Sequence, residues 1–143
     1  MKFLFIGLGF LLLAVYNIQA EVSKDEAMAI ATSCKEETGA SDADFETIIK
    51  HESAETQEGK CLLACFLKKV NVMDADGKMI KHAALEISES LISNDDERAL
   101  VAEIIDICDD IDLSDEHCEA AFEYGECWKK EINSRGISTD HLV

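Results

Sequence analysis

Apolar residues along this chain recur every three to four positions and show no sustained alternation, so the pattern predicts helices rather than strands. Ser23-Lys-Asp-Glu26 has the form of a capping box, and the helix it opens should run to about Glu37, where Gly39 stops it. Ser41, with Asp44 three residues on, marks a second start that puts Phe45, Ile48 and Ile49 on one inner face. The polar stretch from His51 to Gly59 breaks the pattern. Cys61 to Val70 is apolar on nearly every side until Lys68 and Lys69, which predicts a central, buried third helix. After a loop from Asn71 to Gly77, a fourth helix is expected over Lys78 to Leu91, with Ile80, Ala83, Ala84 and Ile87 as its stripe. Asn94 with Glu97 opens a fifth, in which Leu100, Val101, Ile104, Ile105 and Cys108 keep the helical period. Ser114, followed by Asp115 and Glu116 placed against the helix dipole, opens a sixth with Cys118, Ala121, Phe122, Gly125 and Trp128 in line. The expected architecture is one all-α domain of about six short helices, with a loose tail from Ser134 to Val143.

The first residues stand apart. Met1-Lys2 and the 14-residue apolar run from Phe3 to Tyr16 precede a small residue, Ala20. This is the form of a secretory signal peptide over residues 1–20, cleaved after Ala20. The run is shorter than the ~20 residues a spanning helix needs. A secreted, extracellular domain over 21–143 follows, without stable membrane insertion. It would carry 12 Lys plus Arg against 30 Asp plus Glu, a formal charge of −18, because the leader removes one lysine and no acid. Such a chain has no basic patch to read nucleic acid. Proline is absent from the whole sequence and aromatics are few, which argues against a sandwich or barrel.

Four stretches have residues that could carry chemistry. Asp74-Ala-Asp-Gly77 looks like part of a calcium loop, but placing Gly77 at loop position 6 puts Val72 and Ala83 where oxygen ligands are required. A turn capped by Asp76, with Gly77 relaxing the backbone, is the expectation instead. The acidic run from Asp106 to Glu119 holds seven carboxylates, and a helix end plus a turn makes it a solvated surface rather than a glycosidase pair. His51-Glu52 and Glu116-His117 are isolated pairs without a nucleophile elbow or a helical zinc motif. No enzyme activity, cofactor or metal is expected.

Six cysteines, Cys34, Cys61, Cys65, Cys108, Cys118 and Cys127, all fall in the secreted part, and an even count there reads as three disulfides. Cys61 and Cys65 lie about 6 Å apart on one helix face, so each should reach a different neighbour. Cys118 and Cys127 fall on opposite sides of their helix at ~100° per residue, which staples that helix to two partners. Several of the 15 pairings remain open on these grounds.

The cysteine intervals of 26, 3, 42, 9 and 8 residues, the leader and the short acidic helices resemble the insect odorant-binding proteins, the six-cysteine general odorant-binding and pheromone-binding group. The resemblance covers the whole secreted part. It implies interlocked bridges Cys34–Cys65, Cys61–Cys118 and Cys108–Cys127, and helices converging on an apolar cavity. It also implies a carrier of odorants, pheromones or related lipids, with an odorant receptor as candidate partner and a monomer or weak homodimer as the working unit. The alternative is carriage of hydrophobic molecules in haemolymph, saliva or reproductive fluid. Candidate cavity residues are Phe45 and Phe66; Met73, Met79 and Ile80; Ala83, Ile87 and Leu91; and Phe122 and Trp128. Thr32, Ser88 or Tyr124 would orient the ligand. A tail carrying His141 beside Leu142-Val143 would lie over the cavity mouth and link release to pH.

Overall fold

The computed structural model describes residues 22–138. The leader expected over residues 1–20 and the tail positions His141, Leu142 and Val143, expected to cover the cavity mouth, lie outside the described residues. Six helices follow one another: α1 Lys24–Thr38, α2 Asp42–Ile49, α3 Gln57–Lys69, α4 Lys81–Leu91, α5 Asp95–Asp109 and α6 His117–Arg135. The only extended pairing among the described residues is an isolated bridge between Met73 and Met79.

The helix starts show where side chains overrule the apolar pattern. Ser23 caps α1 by accepting from the Glu26 N–H at 3.2 Å, the forward half of the expected box. The complete box sits at α2, where Ser41 Oγ accepts from Asp44 N–H and the Asp44 carboxylate accepts from Ser41 N–H. Asp44 also accepts the Thr56 hydroxyl at 2.6 Å, while Thr56 Oγ caps α3 by accepting from Gly59 N–H at 3.0 Å. That cap starts α3 four residues before Cys61, inside the stretch read as a break, because a capping threonine outweighs a polar composition. The Thr56 hydroxyl and Asp44 also crowd the α-carbon of Gly59, where an added methyl would lie 3.2 Å from both.

Helix α4 starts later than expected. Asp74, not Asp76, closes the preceding turn: its Oδ1 accepts from the N–H groups of Asp76 and Lys78, both at 2.9 Å. Met79 and Ile80 are held extended, with Ile80 N–H donating to Val72 C=O at 2.7 Å, so the helix begins only at Lys81. Gly77 is fixed twice. Its φ is +79°, and an added Cβ would lie 2.5 Å from the His117 ring. At α6 the cap is Glu116, which accepts from Cys118 and Glu119 N–H at 3.1 and 2.7 Å, while Ser114 Oγ accepts from Glu116 N–H. The helix continues through Ser134 and Arg135 to a left-handed Gly136, past the point where the tail was expected to loosen.

Helices α3 and α6 pack most extensively on each other, and α1, α2 and α5 are laid around them. Ala64, Ala120 and Ala121 are buried at the α3–α6 contact, and their small size brings the axes close enough for Cys61 and Cys118 to sit 4.5 Å apart at Cα. The bridges are Cys34–Cys65, Cys61–Cys118 and Cys108–Cys127, the interlocked set. They tie α1 to α3, α3 to α6 and α5 to α6. Val101, Ile104, Ile105 and Cys108 of α5 are buried, as their period predicts. The carboxylates from Asp106 to Glu119 are mostly exposed, and Asp106 is spent on an ion pair with Lys81.

Candidate ligand-binding site

The three disulfides tie α1 to α3, α3 to α6 and α5 to α6, so these pairs cannot slide freely past one another. Between α1, α3, α4 and α6 lies a cavity of about 450 Å³. Its walls are almost entirely apolar. Ala27 and Ala31 come from α1; Leu63, Phe66 and Leu67 from α3; Ala84, Ile87 and Leu91 from α4; and Phe122, Tyr124 and Trp128 from α6. These residues face one space because each recurs at helical spacing on the inner side of its helix. The volume lies within the range of natural small-molecule sites.

Polar groups gather at one end. Lys50, His51 and Glu52 follow α2 directly and are exposed, so they form a rim. His51 takes a left-handed φ of +54°, uncommon for a residue with a side chain. Although much of its surface is open to solvent, the partial burial of its ring makes the protonated form costly and holds its pKa below the ordinary 6.5. Lys129 reaches the same end and donates to Ser53 Oγ at 2.6 Å.

Of the ten apolar residues put forward from the sequence, five reach the cavity wall: Phe66, Ile87, Leu91, Phe122 and Trp128. The other five do not. Met73 is buried beneath the α3–α6 contact with Ala64, Ala120 and Ala121. Met79, held in the extended segment before α4, packs against that cluster and against the main core rather than joining the cavity wall. Ile80 is 36% exposed, and Ala83 is half-buried outside the wall. The late start of α4 takes Ile80 out of the helix, while Ala83 stays in it but lies about 100° round from Ala84, at the edge of the stripe Ala84, Ile87, Ser88 and Leu91 that forms the wall. Phe45 packs against Cys34, Ala40 and Leu62 instead. The sequence reading missed the alanines of α1 and the rim at 50–52. Ala27 and Ala31 are spaced one turn apart, and small residues there leave room that larger ones would fill.

The three polar candidates separate cleanly. Thr32 is exposed, and its hydroxyl donates to Met28 C=O within α1. Ser88 borders the cavity, but its hydroxyl donates to Leu85 C=O at 2.7 Å. Tyr124 is 4% exposed and lines the cavity, its ring 6.3 Å from that of Trp128 in an edge-to-face arrangement. Among the described residues, the one group of metal-type side chains within 4.8 Å is Cys34, Glu37 and Cys65. Both sulfurs are joined to each other, so they offer no thiolate to a metal. No helix among the described residues is long and apolar enough to cross a membrane.

Comparison with known proteins agrees with this architecture. The PBP/GOBP family profile matches residues 18–131. General odorant-binding protein 19d of Drosophila melanogaster is 37% identical over 121 residues, covering 84% of this chain and 81% of that protein. General odorant-binding protein 28a of the same fly is 40% identical over 111 residues, covering 77% of this chain and 78% of its own. The solved structure of odorant-binding protein 28a superposes with a TM-score of 0.72 at 39% identity, over 78% of this chain and 93% of that one.

Proposed function

The chain belongs to the PBP/GOBP family, and on that premise we propose that it carries small hydrophobic molecules, odorants, pheromones or related lipids, in the cavity between α1, α3, α4 and α6. The family is one of carriers rather than enzymes. The observation that bears most weight is the cavity itself: about 450 Å³ walled by aliphatic and aromatic side chains in a domain strapped by three disulfides. A core of ordinary density leaves few voids larger than a water molecule. Hiding about 300 Å² of a ligand's apolar surface is worth roughly 7 kcal/mol before the costs of association, so burial alone caps the affinity at about ten micromolar.

Capture takes the ligand out of water, and release returns it near its destination. Similarity to general odorant-binding proteins favours odorant carriage over a non-olfactory role. Secretion through a leader cleaved after Ala20, action as a monomer or weak homodimer, and delivery to an odorant receptor complete the reading. The ligand-contacting residues in it are Phe66, Ile87, Leu91, Phe122 and Trp128. The test is displacement of a fluorescent apolar probe from oxidised protein (residues 21–143) by aliphatic alcohols, aldehydes, esters and acids. Saturable displacement in the micromolar range supports carriage. Probe binding no tighter than to reduced, unfolded protein refutes it.

A further inference from the structure

Phe122 is half-buried on α6, and one side of it borders the cavity. Over its ring, 4.2 Å from the centroid, stands the ammonium of Lys60 in the first turn of α3. Lys60 lies behind the cavity wall rather than in it. Its Nζ donates to Glu119 Oε2 at 2.9 Å, and its side chain is 22% exposed. The Cys61–Cys118 bridge brings these residues together, because Lys60 precedes one cysteine and Glu119 follows the other. Glu119 and Phe122 are three residues apart on α6, so the carboxylate that holds the ammonium also holds it over the ring.

We infer that Lys60 is a positioning residue: it holds the Phe122 ring back against the wall and so keeps the cavity wide enough for ring-bearing and branched ligands. This rests on the carrier reading above and adds to it the width of the cargo. A ring beside a cavity lacks dispersion contacts on that side. Turning inward would bury more of its apolar surface and fill part of the roughly 450 Å³. A cation on the ring opposes that turn, because a ring that swings inward leaves the charge and gives up the quadrupole attraction. At a partly exposed site that attraction shifts the balance of the two orientations by about twofold to fivefold. A bulky ligand fits only beside the held-back ring, so its apparent affinity scales with the population of that orientation. A slim chain fits beside either orientation and is indifferent.

The experiment measures displacement of a fluorescent apolar probe from oxidised protein (residues 21–143) by menthol and by 1-decanol, alcohols of equal carbon number and unlike width. Lys60→Met keeps the length of the side chain and removes its charge, whereas Lys60→Arg keeps a cation over the ring. Residues 21–143 hold three phenylalanines, Phe45, Phe66 and Phe122, so labelling with 4-fluorophenylalanine gives three fluorine resonances. The Phe122 line is the one lost in Phe122→Leu. The expected result in Lys60→Met is a displaced Phe122 line, menthol binding weakened by up to about fivefold and decanol binding nearly unchanged. Lys60→Arg restores all three. Lys60→Gln removes the charge with a different side chain and gives the same result as Lys60→Met, so the test does not hang on one variant folding. An unchanged ratio of the two affinities in the charge-free variants overturns the positioning role. Equal weakening of both alcohols does so too, since it is the mark of an ion pair that merely stabilises the fold. Lys60→Arg behaving like Lys60→Met also overturns it. Failure of menthol alone to displace the probe from the unsubstituted protein overturns the role and leaves carriage standing. Failure of both alcohols overturns the carrier reading itself.

Discussion

Replacing Ala84 with leucine separates a real cavity from an ordinary core, because the two situations give opposite signs. Ala84 sits on the inner face of α4, is 8% exposed and borders the cavity beside Ile87 and Ser88. Leucine is nearly as good a helix former as alanine, so the helix itself registers little change. Its side chain adds roughly 80 Å³, and at ~24 cal/mol per Å³ of void removed the upper limit of stabilisation is about 2 kcal/mol. In a domain of this size each kcal/mol moves the melting midpoint by about 4 °C. In a filled core the same insertion would cost about 1–3 kcal/mol. Binding should move the other way. The added group occupies under a fifth of the roughly 450 Å³ available, and a ligand that filled the cavity must be compressed or shifted. A cost of about 1–3 kcal/mol corresponds to a fivefold to hundredfold weaker dissociation constant for long ligands, with less effect on short ones. Thermal melts of the unliganded protein and probe displacement by a chain-length series read both quantities. A variant that melts lower and binds long ligands unchanged refutes the cavity.

Thr56→Ala removes the cap of α3 and the hydroxyl that Asp44 accepts, so stability should fall by about 0.5–2 kcal/mol in a denaturant titration. The Asp44 pKa, held below 3.8 first by Thr56 and then by Ser41, should rise when followed by carboxyl resonance. Gly77→Ala forces a left-handed residue and a methyl onto the His117 ring, and a loss above about 2 kcal/mol is expected; a denaturation midpoint close to that of the unsubstituted protein would contradict the placement of that turn. His51 has a folded pKa below its ordinary 6.5, so the folded state disfavours the imidazolium. Its contribution is therefore intact above about pH 6.5 and is lost as pH falls through the depressed folded value. His51→Asn, which tolerates the left-handed backbone, should remove that part of the decline between pH 7 and pH 5 in denaturation midpoints. A curve superposable on that of the unsubstituted protein over this range contradicts the assignment.

Local chemistry carried much of this molecule in plain sight. Ser41 with Asp44 and Asn94 with Glu97 mark helix starts at the residues where they occur, because a cap is a contact between neighbours in sequence. The period of Val101, Ile104, Ile105 and Cys108 identifies the buried face of α5 for the same reason, since a helix presents every third or fourth residue to one side. The even cysteine count and the intervals around Cys61 and Cys65 point to the cross-linked class and, through resemblance, to the bridges that form. Contacts between elements set the rest. Asp74 closes its turn by accepting from two backbone N–H groups, Ile80 is tied back to Val72, and α4 therefore starts late, which takes Ile80 out of the stripe its period assigned it and leaves Met79 off the cavity wall. Apolar character alone does not say whether a residue meets another side chain or a cavity. Phe45 and Phe66 read alike in sequence, yet one packs on Cys34 and Leu62 and the other faces the cavity. Tyr124 and Trp128 are neighbours one turn apart on α6, but that both border the cavity depends on how α6 is rotated against α3 and α5.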